Sequence, residues 1–503
     1  MHRRMVLTAA LAAGVSAAVP AMAQEAAKAD PPKLDLPKDK TDLPPFPADA
    51  SVKQVTHVAG KTLNYTATVG VIPVRDEKGK KIAEVVFTSY ILDGPKGPNR
   101  PITFAFNGGP GAASVYLNLG AIGPKRLQFG AQGDSPSTPP NLVDNAGTWL
   151  DFTDLVFIDP VGTGFSRSLV PMDETKKRFF GVKEDIAYLS RCVYDWLLRN
   201  QRVASPKYVV GESYGGLRAP AIGHYLQRQL GMAPAGIVMV SPVIDYRARG
   251  HTDLSPLSYM ITLPSMAAAK YEREGKPLSP ETLAEVEAYA RGEFVVDLLK
   301  GQSDTAAVNR IVERVTRYTG LDPALVRRMG GRIDTQTFLR ELYRDQGRIA
   351  SIYDANVTAY DPFPWSQNKR SGDPILDEIV ASTTTAMVDF TTRIVGWKVD
   401  GRYEALSDTV NDNWANRSQA ESVEDLRQAL AADPKLKVLI AHGYGDLSCP
   451  FFASRLIIDQ MPPEAGANRT KLALYPGGHM FYSRPGSMGS FRTDVMKLYG
   501  AAA

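Results

Sequence analysis

Only two cysteines occur in 503 residues, Cys192 and Cys449, so no disulfide framework carries this fold. No bond between them is expected either. Cys192 falls on the apolar side of a helix, where a small buried hydrophobe is the ordinary reading, and Cys449 sits beside a candidate catalytic loop. Charge of one sign is also missing. The chain has 58 basic and 54 acidic residues, a formal +4, and Arg3 and Arg4 lie in a segment expected to be removed. That balance gives no basis for nucleic-acid binding or a polybasic membrane anchor. Beyond the N-terminal segment no run of about 18 apolar residues appears, so no membrane anchor is expected after processing. A fixed-period repeat is absent, which argues against a solenoid. No metal-ligand set or cofactor fingerprint is found, so neither a metal nor a cofactor is expected.

What is present points to a large globular, exported protein. Hydrophobic residues make up 44% of the chain, alongside 42 Gly and 36 Pro, which supplies a sizeable core and many turns. His2-Arg3-Arg4, an apolar run over 6–19 and Ala21-Met22-Ala23 have the order of a secretory signal peptide, residues 1–23. A periplasmic or secreted location follows as an expectation. The Arg pair hints at twin-arginine export, although its flanks fit that signal poorly. Residues 24–48 are rich in Pro, Lys, Asp and Ala and read as a flexible, solvated leader.

Two β-rich runs over 63–72 and 82–91 follow, separated by the charged turn 76–80. Short apolar runs at 102–106, 155–158, 208–210 and 237–240 lack alternation, as strands buried on both faces do. Between them, Ile186, Leu189, Val193, Trp196 and Leu197 recur at helical spacing. Strand and helix alternate, which predicts an α/β architecture with a mostly parallel central sheet and helices on both faces. After Asp245 the pattern gives way to charged, mostly helical sequence, with helices expected over 280–299, 306–318 and 335–348. Strand runs resume at 437–441 and 471–475. The expected organisation is one core in two parts, 49–245 and 431–503, interrupted by a mainly helical cap insertion over 246–430.

Gly211-Glu212-Ser213-Tyr214-Gly215 matches G-x-S-x-G directly after an apolar strand and before a helix, the context of a nucleophile elbow. Serine is a weak nucleophile until an imidazole takes its proton, so the reading demands a later acid and a still later histidine. Asp446 follows one late strand run and His479 the other, giving the order Ser, Asp, His. His442 is the rival base, but its place beside a strand end favours a structural hydrogen bond. Charge developing on the carbonyl oxygen requires preorganised donors. The glycine-rich loop 107–111 nominates the backbone N–H groups of Gly109 and Tyr214 as the oxyanion hole.

Four segments together resemble the serine carboxypeptidases (peptidase S10), in an exported, bacterial-type member. They are Asn107-Gly108-Gly109-Pro110-Gly111 with Gly123-Pro124; the run 159–166, which opens Asp159-Pro160; Gly211-Glu212-Ser213-Tyr214-Gly215-Gly216; and Gly445-Asp446-Leu447-Ser448-Cys449 with Gly478-His479-Met480. The resemblance implies an α/β-hydrolase fold with a helical insertion, a peptide substrate, and Ser213, Asp446 and His479 as triad. It also implies that Asn107, Gly108 and Glu212 hold the substrate's C-terminal carboxylate. Two neighbouring carboxylates in a dry pocket need a proton between them, so an acidic working pH is implied too. The other reading of Glu212 is a structural carboxylate bonded within the elbow. Where the family has a second glutamate before Leu-Gly-Pro, this chain has Ala121, so the paired-acid clamp is incomplete. Where eukaryotic members have Cys-Ser-Ser, it has Ala112-Ala113-Ser114, so their disulfide pattern does not apply. The leading expectation is a carboxypeptidase working through an acyl-enzyme on Ser213. An esterase or acyltransferase using the same triad is the alternative, and an intact triad argues against a silent binding protein.

Overall fold

The computed structural model describes residues 43–94, 100–128, 140–250, 254–366, 372–463 and 466–501, so the expected signal peptide lies outside the described residues. Among the described residues the main sheet has ten strands. Its path runs Ala50–Val58, Lys61–Arg75, Lys81–Leu92, Asp154–Ile158, Ile102–Phe106, Lys207–Glu212, Gly236–Val240, Lys437–Gly443 and Thr470–Tyr475, with Arg167–Ser168 pairing Lys81–Leu92 off this path. The first three strands are antiparallel to their neighbours; from Asp154–Ile158 onward every pairing is parallel. The long runs 63–72 and 82–91 are thus a hairpin leading into the parallel core.

Both faces of the parallel strands are buried, and their side chains alternate between two apolar clusters. Ala105, Val210, Val238, Leu439 and Ala441 join one cluster with Phe491 and Val495 of helix Pro485–Tyr499 and Ile375 and Ile379 of Pro374–Asp389. Phe104, Val209, Ile237, Met239 and Ile440 join the other with Leu189, Val193 and Trp196 of Val182–Arg199 and Ile222 and Leu226 of Tyr214–Gln229. This is the expected α/β-hydrolase arrangement. No helix among the described residues is long and apolar enough to cross a membrane.

The block expected over 246–430 divides in the structure. Leu263, Met266, Val286, Ile311 and Val315 form a third apolar cluster that continues to Ala355 and takes in Tyr444 and Phe451. The later helices Pro374–Asp389 and Val423–Ala432 instead give their apolar faces to the sheet clusters. Two further expectations are corrected. The helix expected over 335–348 stops at Glu341, because Gly347 turns at φ 62 and Arg348–Ala350 pairs with Thr358–Tyr360 as a small antiparallel sheet. The leader expected to reach residue 48 packs sooner. The Phe46 ring lies 5.3 Å from that of Trp397 and beneath Arg167, whose guanidinium also donates to the Pro44 carbonyl at 2.6 Å.

Candidate active site

Parallel strands in register bring distant parts of the chain to one edge. Phe106 pairs with Gly211, Glu212 with Val240, Val240 with Ala441, and Gly443 with Tyr475. The loops after these strands start side by side, and they carry Asn107, Ser213, Asp446 and His479. The carboxyl end of such a sheet is where ligands bind.

Ser213 joins strand Lys207–Glu212 to helix Tyr214–Gln229 at φ 61, ψ −122, a conformation that costs a residue with a Cβ on the order of 1–3 kcal/mol. Its backbone is pinned there. The Ser213 N–H donates to the Val240 carbonyl at 3.0 Å, and its own carbonyl accepts from Gly216 at 2.8 Å and Val243 at 3.1 Å. Close approach dictates the glycine at 211, where a Cβ would stand 1.7 Å from the Gly215 carbonyl oxygen. Although Ser213 is the helix N-cap, its hydroxyl caps nothing. The half-buried Oγ is left at the positive end of a 16-residue helix.

His479 is 4% exposed, and its Nδ1 lies 2.7 Å from Asp446 Oδ2. The other carboxylate oxygen accepts from the Ser448 and Cys449 N–H groups, both at 2.8 Å. With Asp446 held as acceptor, Nδ1 carries the hydrogen and Nε2 is the basic nitrogen. The His479 backbone is fixed too: its N–H donates to the Tyr353 carbonyl at 2.5 Å, and its carbonyl accepts from Ser241 Oγ at 2.7 Å. Burial works against the imidazolium, but the Asp446 carboxylate and Cys449 outweigh it and hold the ring's proton affinity well above the usual histidine range. Ser213 Oγ is not hydrogen-bonded to the ring in this structure. Bonds of this kind are often long until substrate tightens them. His442, the rival base, is fully buried, bonds Ser454 Oγ at 2.8 Å, and is pushed down to about 3 by desolvation and by His479. It stays neutral as a structural group.

The loop after Ile102–Phe106 presses against the elbow. A Cβ on Gly108 would lie 2.4 Å from the Tyr214 nitrogen, so only glycine brings this loop to the helix N-terminus. Gly109 and Tyr214 thereby sit on adjoining segments, as an oxyanion pair requires. Asn107 is held from both sides: its carbonyl accepts from Arg218 Nη1 at 2.5 Å and its Oδ1 from the Leu117 N–H at 2.9 Å. Arg218 is in turn locked by Asp185, at 2.7 and 3.1 Å, both side chains fully buried. Asn107 Nδ2 then donates to Glu212 Oε2 at 2.5 Å. Burial pushes the Glu212 carboxyl up; His479, Tyr482 and Asn107 offset this in part.

Asp446, Cys449 and His479 offer ligand atoms within 4.8 Å of one another. They fit a cation poorly, because both Asp446 oxygens already accept hydrogen bonds and His479 Nδ1 faces one of them.

Residues 60–255 match the family model of the serine carboxypeptidases. Over this part the chain is similar to the serine carboxypeptidases. Serine carboxypeptidase-like 8 of Arabidopsis thaliana is 30% identical over 168 residues, which are 32% of this chain and 37% of the relative. Serine carboxypeptidase-like 9 of the same plant is 28% identical over 169 residues, 33% and 36% of the two chains. The matched part thus spans little more than a third of these relatives' length. The fold matches the crystal structure of Kex1, a prohormone-processing carboxypeptidase from Saccharomyces cerevisiae, with a TM-score of 0.55 at 17% identity, over 87% of this chain and 91% of that one.

Against the serine carboxypeptidase pattern, the departure at Ala121 has a structural counterpart. Ala121 is buried on the π-helical turn Leu117–Ile122, its carbonyl accepting from Asn145 Nδ2 at 2.9 Å. The second donor to Glu212 is the Tyr482 hydroxyl, 2.8 Å from Oε1. Sequence reasoning missed Tyr482, along with Tyr353, whose ring stands edge-on to His479 at 5.2 Å, and Ser241. The one available signal was an aromatic residue three positions after His479.

Proposed function

We propose that this chain is an exported serine-type carboxypeptidase that releases C-terminal residues from peptides. Ser213 Oγ attacks the carbonyl carbon of the last peptide bond while His479 Nε2 takes its proton, and Asp446 stabilises the imidazolium that forms. The negative charge on the carbonyl oxygen meets the N–H groups of Gly109 and Tyr214. His479 returns the proton to the departing amine as the C–N bond breaks. Water, activated by the same histidine, then hydrolyses the acyl-enzyme.

The observation that carries this reading is the pairing of two features one residue apart. An uncapped serine hydroxyl sits on a helix N-terminus, and beside it is a buried Glu212 whose two oxygens are both held by donors. Burial raises the affinity of the Glu212 carboxyl for a proton, which suits a neighbouring substrate carboxylate that Asn107, Gly108 and Glu212 would hold. N-blocked dipeptides with a free C-terminus, compared with their amide and ester counterparts across acidic to neutral pH, test it. Release of the terminal amino acid with preference for the free acid is expected. Capped esters outpacing free acids at every pH would overturn the reading.

A further inference from the structure

We propose that Tyr482 is a positioning residue for recognition of the substrate carboxylate, standing in for the second acid that this chain lacks; the proposal rests on the carboxypeptidase reading above. Tyr482 is fully buried, and its hydroxyl donates to Glu212 Oε1 at 2.8 Å while Asn107 Nδ2 donates to Oε2 at 2.5 Å. With each oxygen held by a donor from a different loop, the plane of the carboxyl group is fixed. The room for the phenol comes from the turn Leu117–Ile122. A Cβ at Gly120 would stand 3.3 Å from Tyr482 Cε2, so small residues on the turn go together with a ring reaching Glu212 from the loop after His479.

A phenol is a different partner from a carboxylic acid. Its ordinary pKa is about 10, and burial beside Glu212 pushes it further up, so Tyr482 remains a donor at every pH where a second acid would lose its proton. It shares no proton with Glu212. Glu212 alone must carry the proton that lets it lie beside a substrate carboxylate. The groups facing Glu212 are Asn107, Tyr482, Tyr116, His479 and Asp446, with Arg126 acting on Tyr482 from behind. Among these, a neutral donor bonded to the carboxylate favours its ionised form. Tyr482, together with His479 and Asn107, therefore lowers the pH limit up to which Glu212 still holds its proton.

The test uses the full chain with Ser213→Ala, so that catalysis does not enter, and calorimetric binding of an N-blocked amino acid and of its amide from pH 5 to 9. The free acid is expected to bind more tightly than the amide up to a break in its pH profile, with the amide profile flat. Tyr482→Phe removes the donor and should move the break up by about one pH unit, given that a hydrogen bond to a charged group is comparable to one pKa unit. Replacing Tyr482 with 3-fluorotyrosine strengthens the donor at nearly constant volume, so it keeps the test decisive if the phenylalanine variant fails to fold; the break should move down. A merely structural tyrosine would weaken both ligands and leave the break in place. An unmoved break with free-acid preference intact overturns this inference alone. Absence of free-acid preference in the Ser213→Ala protein overturns the carboxypeptidase reading, and this inference with it.

Discussion

Asp446 accepts two backbone N–H groups on one oxygen and the His479 ring on the other, so it acts here as an acceptor only. Asp446→Asn would place an amide N–H or carbonyl opposite Nδ1 and favour the wrong tautomer. A fall in kcat of about 10³–10⁴ is expected with little change in thermal unfolding. His442→Gln should leave kcat within about threefold, since the native ring is neutral and bonded to Ser454; a loss as large as that of a His479 variant would reverse the assignment of the base. Asp159 makes a pH prediction. Burial pushes its carboxyl up to about 7, only partly offset by the Ser114 N–H and the Tyr403 hydroxyl. Between about pH 4 and 7 the unfolded chain has released this proton while the folded chain keeps it, so folding stability falls as pH rises through that window and levels off above it. Asp159→Asn should remove on the order of 2–4 kcal/mol of that decline. Urea unfolding at pH 4.5 and 7.5 measures it, and an unchanged difference would contradict it.

At the scale of elements, the elbow depends on how closely strand and helix approach. Gly211→Ala would force a Cβ to 1.7 Å from the Gly215 carbonyl, against rigid backbone rather than a side chain that could swing away. Loss of folded protein is expected, as yield and circular dichroism would report. This closeness also explains what could be read in advance. Buried parallel strands show as unbroken apolar runs such as Ile102–Phe106, and a parallel sheet in register places every strand's end at one edge. Chain order alone therefore assembled Asn107, Ser213, Asp446 and His479. Tyr353, Ser241 and Tyr482 carry no such mark, because their contacts join loops whose meeting depends on the packed tertiary structure. Ser241, for example, bonds a carbonyl 238 positions away. The helix expected over 335–348 failed for a local reason. Its apolar spacing continues, yet Gly347 takes a left-handed turn and Ile349 finds a cross-strand partner in Ala359.

At the scale of the molecule, the loop carrying Tyr353, flanked by Ala350 and Ala355 of the helical cluster, does more than cover the sheet edge, because His479 is bonded to it. Tyr353 supplies the carbonyl that accepts from the His479 N–H, and Asp354, the next residue, is held by Arg484 Nη2 at 2.7 Å. Arg484 Nη1 bonds Glu272 of helix Leu257–Arg273 at 2.5 Å. Arg484 begins helix Pro485–Tyr499 on the sheet side, so one guanidinium ties the helical cluster to the core five residues beyond His479. The pairs are largely shielded from water, with Arg484 12% and Asp354 7% exposed. Removing one partner from such a site leaves an uncompensated charge, a cost of about 3–5 kcal/mol, whereas an exposed pair such as Arg247 with Asp245 contributes no more than about 1 kcal/mol. Arg484→Met should therefore lower stability by several kcal/mol and, by loosening Tyr353 from His479, reduce kcat by about tenfold or more. Arg247→Met should do neither. Denaturant unfolding and steady-state kinetics on the two variants separate the roles. A destabilised Arg484→Met enzyme with undiminished kcat would mean that the cluster shields the site without orienting the base.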